Sequence, residues 1–115
     1  YTSSATLSNA TTAYTTVGEV SSSGSNYTAG GNTLTVSTSP TSTGNVAFLS
    51  FSNSSWTNAN ITANGALIYN STLGKSNAAV AVLAFGGDKT STDGTFAVNF
   101  PTADASSAII RLTAS

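Results

Sequence analysis

No stretch of this chain carries apolar side chains at the three-and-four spacing of a helix face; they come in short runs and in alternation, which restricts the chain to β structure. Over 95–100, Phe96, Val98 and Phe100 point one way while Ala97 and Asn99 point the other, the period of a half-buried strand. Leu34 and Val36 alternate in the same manner over 33–37 (TLTVS). The runs at 45–51 (NVAFLSF), 60–70 (NITANGALIYN), 78–85 (AAVAVLAF) and 108–114 bring the expected strands to six. Pro40 and Gly44 predict a loop, 52–55 a polar corner, and 70–77 a second loop. Asn64-Gly65, in the middle of a long run, predicts a bulge or bend.

The first 32 residues are rich in Ser, Thr, Gly and Asn, with thinly spaced apolar positions and a Gly30-Gly31-Asn32 turn signal, so they predict a loop-rich arm or short edge strands. Residues 33–115 then form the main β core. At 115 residues the chain fits one ordinary domain. The expected fold is all-β, a small antiparallel β-sandwich or barrel, immunoglobulin-like or jelly-roll-like, with a loop-rich N-terminal third.

The charged residues are Glu19, Asp88, Asp93 and Asp104 against Lys75, Lys89 and Arg111, a net charge of −1. This lacks the basic footprint of a nucleic-acid binder, and no nucleic-acid partner is expected. Apolar runs reach only about eight residues where a span needs roughly 20, so no membrane segment is expected. The surface relies on 20 Ser, 20 Thr and 11 Asn, and repels neighbours weakly. That suits a chain packed against others in a repetitive assembly, a bias shared by secreted surface proteins. There is no Cys, so no disulfide framework exists.

Three of the seven charges, Asp88, Lys89 and Asp93, form one island between apolar runs. Two carboxylates there offer calcium part of an oxygen shell, but the spacing of an EF-hand loop is missing. Gly86-Gly87-Asp88 and Asp93-Gly94 are turn dipeptides, so the island is expected to be the wet tip of a hairpin. No metal site and no cofactor is expected. Ser and Thr are weak nucleophiles without a neighbouring base, and the chain has no His. The four carboxylates are scattered in sequence, so no catalytic residue is assigned and no enzyme activity is expected. Five N-x-[ST] sequons, at Asn9, Asn26, Asn53, Asn60 and Asn70, compare with about four by chance in so hydroxyl-rich a chain.

Trp56 and Tyr1, Tyr14, Tyr27 and Tyr69 offer a carbohydrate platform or contact patch; the favoured reading has Trp56 closing one end of the core and Tyr69 packing in a strand. Arg111 interrupts the apolar run Ile109-Ile110-Arg111-Leu112. Either it reaches out at a strand edge or it pairs with a carboxylate such as Asp104 or one on a neighbouring subunit.

Taken in order, Gly18-Glu19-Val20, the YTAGGNTL run from Tyr27, Trp56-Thr57, the ITANGALIYN run from Ile61, the FGGDK run from Phe85 and the final FPTADASSAIIRL from Phe100 resemble a family of small structural proteins of tailed bacteriophages. The likeness covers nearly the whole chain and lies in the ordered set, no one element being diagnostic. Where that family often has Asp, this chain has Asn64 and Ala84, which dilutes charge further. The resemblance implies a virion component on the capsid surface, a head decoration or cement protein. Its partners would be the major capsid protein and neighbouring copies of itself, as a homo-oligomer such as a trimer. It also implies a further segment ahead of Tyr1. Other expectations are a tail, baseplate or fibre-adaptor protein of the same virion, and an extracellular adhesin or filament subunit; a carbohydrate-binding module has less support.

Overall fold

A computed structural model describes all residues, Tyr1–Ser115. The chain is all-β with no helix, built from β1 (Val36–Thr43), β2 (Val46–Phe51), β3 (Ser54–Asn70), β4 (Ala78–Val98) and β5 (Ile110–Thr113). Two sheets result, one of three strands in the order β1-β2-β5 and one pairing β3 with β4. The all-β class and the two antiparallel sheets are those the sequence predicts. Two compact units divide the residues: Tyr1–Gly31 with Trp56–Phe96, and Asn32–Ser55 with Ala97–Ser115.

In the first unit, β3 buries one face. Ala59, Ile61, Ala63 and Gly65 are buried, while Asn60 and Thr62 between them are exposed. Small and branched side chains in alternation suit a tightly packed strand. Phe96 on β4 and Val20 from the first segment join this core. Gly65 is required here because a Cβ would lie 2.8 Å from the Leu83 carbonyl oxygen.

Residues 1–31 contain no strand, in keeping with the loop-rich expectation. They are nevertheless fastened along the sheet of their own unit. The Tyr1 carbonyl accepts from the amides of both Asn64 (2.8 Å) and Gly65 (3.3 Å), two consecutive donors on one acceptor, which is the hydrogen-bond pattern of a bulge at the expected dipeptide. Further along, the Asn60 amide donates to the Ser25 carbonyl (3.0 Å), the Ala79 amide to Thr12 (2.9 Å) and the Tyr14 amide to Asn77 (3.0 Å).

The structure corrects the expected hairpin at the charged island. The run 78–85 and residues 95–98 of the run 95–100 lie on one strand, so five strands form instead of six and the island lies in mid-strand. Cross-strand side-chain bonds show why. Asn64 meets Asp88, Thr62 meets Thr90 and Asn60 meets Asp93, with numbers falling on one strand as they rise on the other. The last step takes one residue more on β4 than on β3, and Asp93 has φ 47°. The glycine-containing dipeptides therefore serve as bulges that keep β4 paired, with Gly86 (φ 73°) and Gly87 (φ 138°) doing the same nearer the middle.

In the second unit, β1 and β2 form a hairpin closed by Gly44-Asn45, with Thr43 opposite Val46 and Gly44 at φ 60°. The expected loop thus shrinks to two residues. Pro40, placed in that loop by sequence, sits inside β1, at the register shift between Thr38 and Thr41. It is tolerated there because β1 is an edge strand and a bulge needs no ladder donor. Thr33 to Thr35 lie outside any strand, and the strand begins later than predicted. Phe48, Ser50 and Ala108 are the buried residues of this unit.

Candidate functional site

The most elaborate side-chain cluster lies in the first unit and is centred on Glu19, which sequence spacing left isolated. One carboxylate oxygen, Oε2, accepts from the Tyr14 hydroxyl at 2.7 Å. The other, Oε1, accepts from the Tyr27 hydroxyl at 2.7 Å and from the Gly30 amide at 2.6 Å. Gly30 is held in turn, its carbonyl accepting from the Tyr69 hydroxyl at 2.8 Å. Tyr14 and Tyr69 stack with ring centroids 4.8 Å apart, and the Tyr1 hydroxyl donates to the Thr15 carbonyl at 2.5 Å. All four tyrosines, at positions 1, 14, 27 and 69, are therefore brought together around Glu19 and its neighbours.

The geometry of Gly30 follows from local sequence. It has φ 87°, which turns its amide toward Glu19 and its carbonyl toward Tyr69, and a Cβ there would press on the Tyr69 hydroxyl at 3.3 Å. Gly18, with φ 76°, leaves room for Ala5 and brings Glu19 round to face the loop.

Partial burial of the Glu19 carboxylate pushes its pKa up, but the Gly30 amide and the Tyr14 and Tyr27 hydroxyls outweigh that, and the net shift is downward from 4.5. Tyr14 is pushed up to about 12, first by its bond to Glu19. Tyr27 is pushed higher still, by burial and then by the same carboxylate. At neutral pH the cluster is thus an ionised acceptor whose oxygens are taken up by protonated donors. It acts as a clasp that holds residues 14–31 onto β3.

Trp56 extends the cluster. Its ring centroid is 5.7 Å from Tyr27 and 6.3 Å from Phe96, and Phe96 is 6.3 Å from Phe85. Trp56 and Tyr69 therefore pack within their own unit, in line with the favoured reading. The Trp56 Nε1 atom is buried without a hydrogen-bond partner.

The remaining candidates are dispersed. Asp88 Oδ1 accepts from Asn64 (2.9 Å), while Asp93 accepts from the Asn60 side chain and returns its own amide to Asn60 Oδ1, both at 2.9 Å. No three His, Cys, Asp or Glu side chains lie together. Arg111 lies on β5, an edge strand, and donates to the Ser106 carbonyl. The Asp104 carboxylate accepts from the Ser106 and Ser107 amides, 2.7 and 2.6 Å away, and these bonds, ahead of the charge of Arg111, hold its pKa down. Asn26 and Asn60 use their side chains internally, Asn26 on the Asn58 carbonyl and Asn60 on Asp93.

Comparison with protein families, with characterised proteins and with solved structures gives no match. Gly18-Glu19-Val20, Tyr27 and Gly30 of the YTAGG run, Trp56, and Tyr69 of the ALIYN run supply the clasp and the aromatic cluster beside it.

Proposed function

We propose that this chain is a structural protein of a tailed-bacteriophage virion, a decoration protein that cements the head by binding the major capsid protein and neighbouring copies of itself. The observation that carries the reading is the convergence of four separate motifs. Glu19, Tyr27, Gly30 and Tyr69, from three of these motifs, are joined by hydrogen bonds, and Trp56, from the fourth, packs against Tyr27.

The chemistry of the side chains agrees. Each of the four carboxylates is an acceptor in an internal bond: Glu19 in the clasp, Asp88 and Asp93 of β4 from Asn64 and Asn60 of β3, Asp104 in its own loop. Cementing a shell needs repeated modest contacts, with avidity supplied by the lattice. A sparsely charged, hydroxyl-rich surface meets that need.

The test is addition of the purified chain to heads that lack it. Saturable binding at a fixed ratio to capsid protein, with a rise in the temperature at which the shell opens, is the expected result. Failure to bind heads while binding purified tails would transfer the protein to the tail.

A further inference from the structure

Among the asparagines of the chain, Asn64 alone is followed by glycine. Such a step is open to deamidation, because a residue without Cβ lets its backbone nitrogen reach the side-chain carbonyl carbon before it. Here both partners of that reaction are tied down. The Asn64 Nδ2 atom donates across the sheet to Asp88 Oδ1 at 2.9 Å, which holds the side chain toward β4. The Gly65 amide donates to the Tyr1 carbonyl at 3.3 Å, and the Gly65 carbonyl accepts from the Tyr1 nitrogen at 2.8 Å. Tyr1 is held in turn by the segment that leads into Glu19. Its hydroxyl donates to the Thr15 carbonyl at 2.5 Å, and the amide of the next residue, Thr2, donates to the Gly18 carbonyl at 2.8 Å.

We infer that Asn64 is a deamidation site closed by Tyr1, and that the Glu19 clasp sets how often it opens. The inference stands on these bonds and does not depend on the virion reading. While Tyr1 is seated, the Gly65 amide keeps its proton in a hydrogen bond and the extended strand keeps its nitrogen away from Asn64 Cγ. When the clasp lets go, the turn at 15–18 loses its anchor at Glu19, Tyr1 loses the turn, and Gly65 is returned to water.

The chemistry needs only water. The Gly65 nitrogen gives its proton to solvent hydroxide and bonds to Asn64 Cγ, and the bond from Cγ to Nδ2 breaks as ammonia leaves with a proton from water. Water then adds to either carbonyl of the cyclic imide and opens it, to aspartate or to isoaspartate. An aspartate at position 64 has no donor for Asp88 and sets a second carboxylate against it, and like charges facing across a ladder destabilise the pair. Isoaspartate adds an atom to the main chain inside β3 and puts the bonds of Asn60 and Thr62 out of step with those of Asn64. Either product hinders Tyr1 from reseating, so each opening that reacts leaves a permanent mark.

The test is incubation of the folded chain at neutral pH, with peptide mapping by mass spectrometry to follow loss of the Asn64 amide and enzymatic methylation to count isoaspartate. The parent is expected to react at least about 100-fold more slowly than the same chain in urea, and Glu19→Ala at least about 10-fold faster than the parent. Tyr27→Phe, which removes one bond of the clasp and keeps the rest, falls between them and serves if Glu19→Ala does not fold. Phe48→Ala, which weakens the buried core of the other unit, stays at the parental rate while its circular-dichroism spectrum remains that of the folded chain. A parent that reacts as fast as the urea-unfolded chain overturns the inference, as do clasp variants that react no faster than the parent. Acceleration by Phe48→Ala equal to that of the clasp variants would also overturn it, since the site would then open only by unfolding of the whole chain.

Discussion

Replacing Glu19 with Ala removes the acceptor of three hydrogen bonds at once, from the Tyr14 and Tyr27 hydroxyls and the Gly30 amide. Hydrogen bonds to a charged group contribute roughly 1.5–3 kcal/mol each when buried. Glu19 is only half-buried, so solvent screening reduces each to about 1 kcal/mol, and the clasp is worth about 2–4 kcal/mol in all. For a chain of this size that lowers the melting temperature by about 8–16 °C. Thermal and urea melts followed by circular dichroism give the loss directly. A cycle with Tyr27→Phe isolates one bond: the double variant should be more stable than the sum of the single effects by about 1 kcal/mol, because the Tyr27 hydroxyl has already lost its acceptor. A Glu19→Ala loss below about 0.5 kcal/mol, the range of an ordinary surface change, would refute the clasp.

Four further outcomes follow from the same contacts. Because the folded pKa of Glu19 is held below 4.5, its contribution is complete above that value and lost as pH falls through the depressed one; urea melts at falling pH should show this slope, and Glu19→Gln should flatten it. Tyrosinate absorbance should show Tyr14 ionising at about 12 and Tyr27 later still, with both moving down in Glu19→Gln. Gly65→Ala drives a Cβ to 2.8 Å from the Leu83 carbonyl and should cost about 1–3 kcal/mol in a denaturant melt. Phe96→Ala opens the aromatic core and should cost about 3–4 kcal/mol, whereas Trp56→Phe, which trades some packing for the loss of a buried unpaired Nε1–H, should cost under about 1.5 kcal/mol.

What could be read from the sequence was whatever depends on short-range pattern. Alternation placed Phe96 and Val98 on the inner face with Ala97 and Asn99 outside, and it located β2 to within a residue. The Asn64-Gly65 dipeptide was legible as a bulge because a glycine inside a strand signals close backbone approach. The continuity of β4 was not legible. Gly-Asp and Asp-Gly suit a turn and a bulge equally, and the choice was made by Asn60, Thr62 and Asn64 on β3, which bond across to the island. Pro40 was misplaced for a similar reason, since only sheet order shows that β1 is an edge.

The Glu19 clasp was missed because its members are distant in sequence. A lone Glu among hydroxyls and four spread tyrosines give no spacing to detect. One signal was present: Glu19, Tyr27, Gly30, Trp56 and Tyr69 all fall within the motifs of the family resemblance. Those runs hold Glu19 with Tyr27 and Tyr69, while Tyr1 and Tyr14 lie outside them.

The copy number of this chain in purified virions, relative to the major capsid protein, tests the functional proposal most directly. A decoration protein is predicted to stand near one copy per capsid subunit, or a simple fraction of it, by quantitative mass spectrometry. A ratio of a few hundredths would contradict the account in favour of the tail or portal axis, and absence from virions would contradict it altogether.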